Sequence, residues 1–245
     1  MSLFNPQSDA PLTLEIEDPS GDPAADLERG VQLLREIQSG DRGPTLRLYR
    51  PDPTLAFGQR DVRLSGYEAA RQAAEDRGFM PLVRKAGGRA AAYHRGSLIV
   101  DHLEPQHEAV LGQQKRFEVF ADIYAKALAR LGVDARIGPI PGEYCPGEHS
   151  VHGLPTSASP RNYPVKLVGT AQRVVAGAWL FSSVFVIEDS EPLRQVLNAV
   201  YQAMEIPMDP TTVGAASDLV APATTEAFIA ALLEEYREHV SLIGA

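Results

Sequence analysis

Across 245 residues there is a single cysteine. No internal disulfide can form, and a zinc site built from several cysteines is excluded. Long apolar runs are missing as well, since none approaches the ~20 residues that a membrane-spanning helix needs. Basic residues are outnumbered, 23 Lys and Arg against 32 Asp and Glu, for a formal net charge of −9. That balance argues against a general nucleic-acid binder, whose affinity comes from neutralising phosphates. The opening stretch MSLFNPQSDAPLTLEIED is acidic and lacks the basic-then-apolar order of a secretory signal. A cytoplasmic protein without membrane partners is therefore expected. No repeat or low-complexity segment occurs, and nothing points to an obligate assembly, so a monomer is the expectation.

What is present is ordinary for a globular chain: 44% hydrophobic and 22% charged residues. Residues 1–22, rich in Pro, Asp and Ser, read as a loosely held leader, with one domain over 23–245. From Pro23 to about Ser39, Leu27, Val31, Leu34 and Ile37 recur at helical spacing. TLRLYRPDPTLAFGQ reads as two short strands around a Pro-Asp-Pro turn, and YEAARQAAEDR as a helix stopped by Gly78. MPLVRKAGGRAAAYHRGSLIVDHLE reads as a strand, a glycine turn and a second strand. FEVFADIYAKALARLG is an amphipathic helix closed by Gly132. ARIGPIPGEYCPGEHSVHGLPTSASPRNYP has no period and reads as one long loop. Two strands turning at Ala176-Gly177 follow, then helices near 191–204 and 224–239, with 190–245 forming a closing layer or a small subdomain. This order predicts an α+β fold, a sheet with helices packed outside it.

Three places could carry chemistry. In Arg84-Lys85-Ala86-Gly87-Gly88-Arg89, paired glycines let backbone approach a ligand and the arginines offer charge to a carboxylate, a phosphate or an acidic protein. A solvated hairpin turn is the plainer reading of the same residues. Cys145 lies in Glu143-Tyr144-Cys145-Pro146-Gly147, a Pro/Gly loop rather than an apolar stripe. Lone cysteines are commonly inert and buried, but loops on a rigid scaffold carry function disproportionately. His149 and His152 stand near it in sequence, with surface or capping roles expected. Lys166, inside Val165-Lys166-Leu167-Val168-Gly169, suits either a solvated edge or a cleft, where it could bind a carbonyl oxygen or accept a proton. Gly169, Thr170 and Gln172 offer backbone and amide donors beside it. His94, His102 and His107 lack metal-ligand spacing, so no metal site is expected.

Three segments in order, RKAGGRAAAYHRGSL, GEYCPGEHSV and VKLVGTAQR, resemble the biotin/lipoate ligase and octanoyltransferase superfamily over about residues 45–190. Within it the chain is most similar to the cysteine-dependent octanoyl and lipoyl transferases. Their Cys-Pro-Gly followed by Tyr-Ser-Val is met here by Cys145-Pro146-Gly147-Glu148-His149-Ser150-Val151, and their Lys-Leu-x-Gly-x-x-Gln-Arg by Lys166 to Arg173. The sequence departs from the ligase pattern at Arg89, in the place of a third glycine, and at Tyr93 and His94, in the His and Asp places.

The resemblance implies a mixed or antiparallel sheet flanked by helices, with an octanoyl or lipoyl chain passing through a Cys145 thioester to a carrier lysine. Arg84, Gly87, Gly88, Arg89, Tyr93, His94, Gly169, Thr170 and Gln172 would bind substrate, and Lys166 would position the carbonyl and help deprotonate the thiol. The donor would be an octanoyl- or lipoyl-carrier protein, and the acceptor a lipoyl domain or glycine-cleavage H protein, docked on the Arg84, Arg89 and Arg161 side. No cofactor is implied. Two rival readings are an ATP- and Mg-dependent lipoate or octanoate ligase, and a non-catalytic acyl- or carrier-binding protein.

Overall fold

The computed structural model describes residues 10–244. The first part of the expected leader, residues 1–9, lies outside the described residues. Its remainder is not loose: β1 (Leu12–Glu17) is a strand with Leu12 and Leu14 buried and Thr13 and Glu15 only half-buried. This period-2 pattern was masked by the Pro, Asp and Ser around it. The helix α1 (Pro23–Ser39) follows, started by Asp22, whose Oδ1 accepts the Ala24 and Ala25 N–H groups at 3.0 and 3.2 Å.

The other elements are β2 (Thr45–Tyr49), β3 (Thr54–Phe57), α2 (Tyr67–Glu75), β4 (Met80–Val83), β5 (Ala91–Tyr93), β6 (Ser97–Pro105), α3 (Gln113–Arg130), β7 (Asp134–Ile137), β8 (Val151–Leu154), β9 (Val165–Val175), β10 (Ala178–Val186), α4 (Ser190–Ala203), α5 (Thr225–Arg237) and β11 (Leu242–Ile243). They build a mixed sheet in the order β11-β1-β2-β6-β10-β9-β8-β7 and a small one, β4-β3-β5. The α+β class read from the sequence is therefore the one observed.

Three local expectations change. The Pro-Asp-Pro turn does not fold β2 back on β3 but carries the chain from the large sheet to the small one. The two strands expected around the glycine turn do not pair with each other: β4 and β5 both pair with β3, and the segment after β5 breaks before β6. At that break His94 Nδ1 accepts the Gly96 N–H at 2.9 Å and Nε2 donates to the Asp189 carbonyl at 2.7 Å. The long loop contains β7 and β8, four residues each, too short to show a period and held by pairing with distant β9.

On one face of the large sheet, α3 and α5 bury Phe120, Tyr124, Phe228 and Tyr236 against Trp179, Phe181 and Phe185. On the other, α1 packs Leu33, Leu34 and Ile37 onto Leu103 and Leu180. The small sheet shares a second core with α2 and α4, so both terminal helices are built into the packed cores. No helix among the described residues is long and apolar enough to cross a membrane.

Candidate active site

Along β9, strand alternation puts Gly169, Ala171 and Arg173 in the wall of a groove roofed by α1 and by the β4–β5 connection. At about 3.3 Å per residue this wall runs for roughly 13 Å. The groove encloses about 250 Å³, with Leu27, Val31, Leu82, Tyr49, Tyr93 and Leu180 among its lining residues. Midway along, Asp101 reaches the lining, paired with the buried Arg47 at 3.1 Å. Burial pushes the Asp101 carboxyl up, and the Arg47 guanidinium pulls it partly back. Burial also raises Tyr93.

Alternation sends the neighbouring residues the other way. Gln172 accepts from Arg116 Nε at 3.1 Å and donates to the Gln113 carbonyl at 2.9 Å, on the α3 side, and Thr170 shares that face. The expected donor role of Gln172 beside Lys166 therefore does not match its position. His94 is likewise absent from the groove, since its Nδ1 accepts within the β5–β6 turn and its Nε2 bonds the Asp189 carbonyl ahead of α4.

Cys145 lies just outside the groove lining, with its sulfur 3.8 Å from Nη2 of Arg84, which lines the groove. It is partly buried and has a φ of 42°, a left-handed conformation that few non-glycine residues adopt. Four groups hold it there. Its N–H donates to the Tyr201 hydroxyl at 2.9 Å, and that hydroxyl donates to the Ala90 carbonyl at 2.9 Å, tying the cysteine loop to the glycine turn. Its carbonyl accepts from Lys166 Nζ at 2.8 Å. Its Sγ accepts the Arg89 N–H at 3.1 Å and lies 3.8 Å from Arg84 Nη2. Neither polar neighbour of the sulfur is a histidine: His149 stacks on Phe117 beside Gln114, and His152 bonds the Gly138 carbonyl.

Lys166 is 1% exposed. Besides the Cys145 carbonyl it donates to the Tyr144 carbonyl and to Glu143 Oε1, each at 3.0 Å. Its three protons are thus committed to the loop backbone and to a buried carboxylate. This differs from the implied base: the ammonium grips the far side of the cysteine and makes no bond to the thiol. Glu143 completes the loop, accepting from the Ile140 and Gly147 N–H groups and the Ser150 hydroxyl.

The glycine turn acts through its backbone. Gly88 has a φ of 102°, and a Cβ there would lie 2.5 Å from Arg84 Nη2 and 3.0 Å from Cys145 Sγ. Only glycine leaves the sulfur its place. Gly87 has no neighbour that a Cβ would meet. The Arg89 guanidinium pairs with buried Asp61 at 3.1 Å, so its N–H rather than its charge serves the thiol. Arg84 turns inward and donates to the Arg89 carbonyl at 2.7 Å. The docking side expected from the sequence is accordingly not an open patch, for Arg84 and Arg89 are both engaged and Arg161 pairs with Asp218. Glu143, Tyr201 and Asp61 escaped the sequence reading. Glu143 alone left a trace, as an acid two residues before the cysteine in a loop of Pro and Gly.

Residues 22–237 match the family described as the lipoyl protein ligase A/B catalytic domain. Among curated proteins, the octanoyl-[GcvH]:protein N-octanoyltransferase of Anoxybacillus flavithermus is 26% identical over 147 residues, 59% of this chain and 49% of that protein. Its namesake from Kyrpidia tusciae is 23% identical over 192 residues, 77% of this chain and 66% of that one. The chain thus spans about half to two thirds of the length of these relatives. Among solved structures, lipoate-protein ligase A bound with ATP superposes with a TM-score of 0.71 at 19% identity, covering 97% of this chain and 89% of that one. The bi-partite lipoate protein ligase of Thermoplasma acidophilum gives 0.66 at 19%, covering 98% and 87%. At such identities the structural likeness speaks for the fold.

Proposed function

Because this chain belongs to the lipoyl protein ligase A/B catalytic domain family, we propose that it is an acyltransferase moving an octanoyl chain through a Cys145 thioester to a lysine of a carrier protein. One observation carries the reading: the sulfur accepts the Arg89 N–H and lies 3.8 Å from the guanidinium of Arg84, which itself lines the groove. The name borne by the curated relatives supports the same transfer, with an octanoylated GcvH as donor and a protein as acceptor.

In this reading the acyl chain lies along β9 with its carbonyl at Cys145. The sulfur attacks the carbonyl carbon, the C–N bond to the donor lysine breaks, and the thiol proton leaves on the departing amine. The acceptor amine then attacks the thioester, the C–S bond breaks, and a proton returns to the sulfur. Arg84 and the Arg89 N–H face the charge that develops during both steps. Lys166 is a positioning residue, holding the loop in the strained conformation that presents the sulfur. Acyl-adenylate chemistry on the same fold needs no thiol, which separates the ATP-dependent reading from this one.

Intact mass tests the proposal. After incubation with octanoylated H protein, the protein should gain one octanoyl group, and neutral hydroxylamine should remove it. No gain under conditions where the donor is consumed would refute a thioester route. The groove makes a second demand. Ala171, 7% exposed on its wall, should when changed to Phe exclude part of the chain. Losing burial of even two methylenes, ~0.8 kcal/mol each, lowers octanoyl transfer by roughly tenfold. Butanoyl transfer should be nearly untouched, and equal losses for both chains would disconnect the groove from the acyl group.

A further inference from the structure

A second cavity, of about 540 Å³, opens on Cys145. Cys145 lines this cavity, which has no lining residue in common with the groove. Gly88 and Arg89 line it as well. Ile140, Pro146, Ile206 and Pro207 give it apolar walls, and Arg60 lies in its lining. Resting on the transfer reading above, we propose that this cavity receives the acyl-bearing lysyl arm of an acidic carrier protein, and that Arg60 and Arg63 dock the carrier's surface.

The first argument is stereochemical. With the acyl chain in the groove, the group that leaves and the group that enters must both reach the carbonyl from another side of the sulfur. The cavity provides that side. Its apolar walls suit the methylenes of a lysine stem, which bury readily while the nitrogen reaches the reacting carbon.

The second argument is electrostatic. The chain carries a net charge of −9, and the other arginines near the site are paired or turned inward. Arg60 and Arg63 are exposed and have no ion-pair partner among the described residues. They precede and end the 3₁₀ turn Asp61–Arg63, and side chains three apart in such a turn eclipse, placing both cations on one side. Two unneutralised arginines beside a cavity of an acidic protein steer an anionic partner to it. This moves the docking face from the Arg84, Arg89 and Arg161 side expected from sequence.

The test compares octanoylated H protein, which must dock and thread its lysine, with p-nitrophenyl octanoate, which loads the thiol without a protein. The Arg60→Glu/Arg63→Glu variant should raise KM for the H protein at least about tenfold, normalised to its own rate of ester loading. It should also lose most of the salt dependence shown by the wild type between low and physiological ionic strength. Ile206→Trp, which fills the cavity, should lower kcat/KM for the H protein by a similar factor relative to ester loading. An unchanged KM in a charge-reversed variant that still forms the thioester overturns the assignment. So does an Ile206→Trp protein impaired with octanoyl-pantetheine but not with the H protein, since the cavity would then belong to a pantetheine arm. If the wild type forms no thioester with any donor, the transfer reading itself fails and takes this assignment with it.

Discussion

Changing Cys145 to Ser should lower octanoyl transfer by at least about a thousandfold, roughly 4 kcal/mol of transition-state stabilisation, without lowering stability. Serine keeps the shape of the side chain but supplies a far poorer nucleophile, and no histidine is placed to activate it. The backbone there already occupies a strained conformation, φ 42°. Cys145→Gly, which relieves that strain, should therefore be as stable as the wild type or more so while equally inactive. A separation of activity from stability is what a site residue predicts, whereas a cysteine that merely packed would lose both. Single-turnover transfer rates and urea midpoints for the three proteins settle it. A Cys145→Ser protein that transfers at the wild-type rate would dismiss the covalent route, and AMP release from ATP and free octanoate would then become the assay to run.

The second large effect lies beneath the cysteine. Lys166→Met should destabilise the fold by about 3–5 kcal/mol, because it leaves the Glu143 carboxylate buried without its cation. The two side chains are 1% and 0% exposed and 3.0 Å apart. The cost should show as a lower urea midpoint at unchanged slope. Activity should fall as well, since the Tyr144 and Cys145 carbonyls lose the donor that fixes the loop. The double variant Lys166→Met/Glu143→Gln removes both charges, and it should recover a large part of the stability but little of the activity. A lysine acting chiefly as a base would behave differently: the single variant would be stable and inactive, and the glutamate change would restore nothing.

These expectations show where the sequence was readable. The cysteine announced itself through its setting, a lone thiol in a Pro/Gly loop. The glycine turn and the lysine strand stood out by the same local signals, and all three meet at the sulfur or its loop. Their roles did not follow from position. Lys166 looked able to reach a substrate and instead grips backbone; Arg89 looked like an open charge and instead offers its N–H. Gln172 and His94 matched a site pattern, yet strand alternation carries one to the α3 side, while the two nitrogens of the other are taken by the Gly96 N–H and the Asp189 carbonyl. Tyr201 lies 56 residues from the cysteine whose N–H it accepts. Nothing in its neighbourhood within α4 could have disclosed that bond.

By itself the sequence determined the helices, most strands, the α+β class and the residues that could carry chemistry, because periodicity, capping and turn composition are encoded within a few neighbouring residues. Only the tertiary structure decided which of them act together. The splitting of β2 and β3 between two sheets, the recruitment of Leu12–Glu17 into the large one, and the pairing of Glu143 with Lys166 all depend on contacts between distant segments. A one-residue step along a strand reverses the face of a side chain, so register, which is set by those distant contacts, chose the residues that look into the groove.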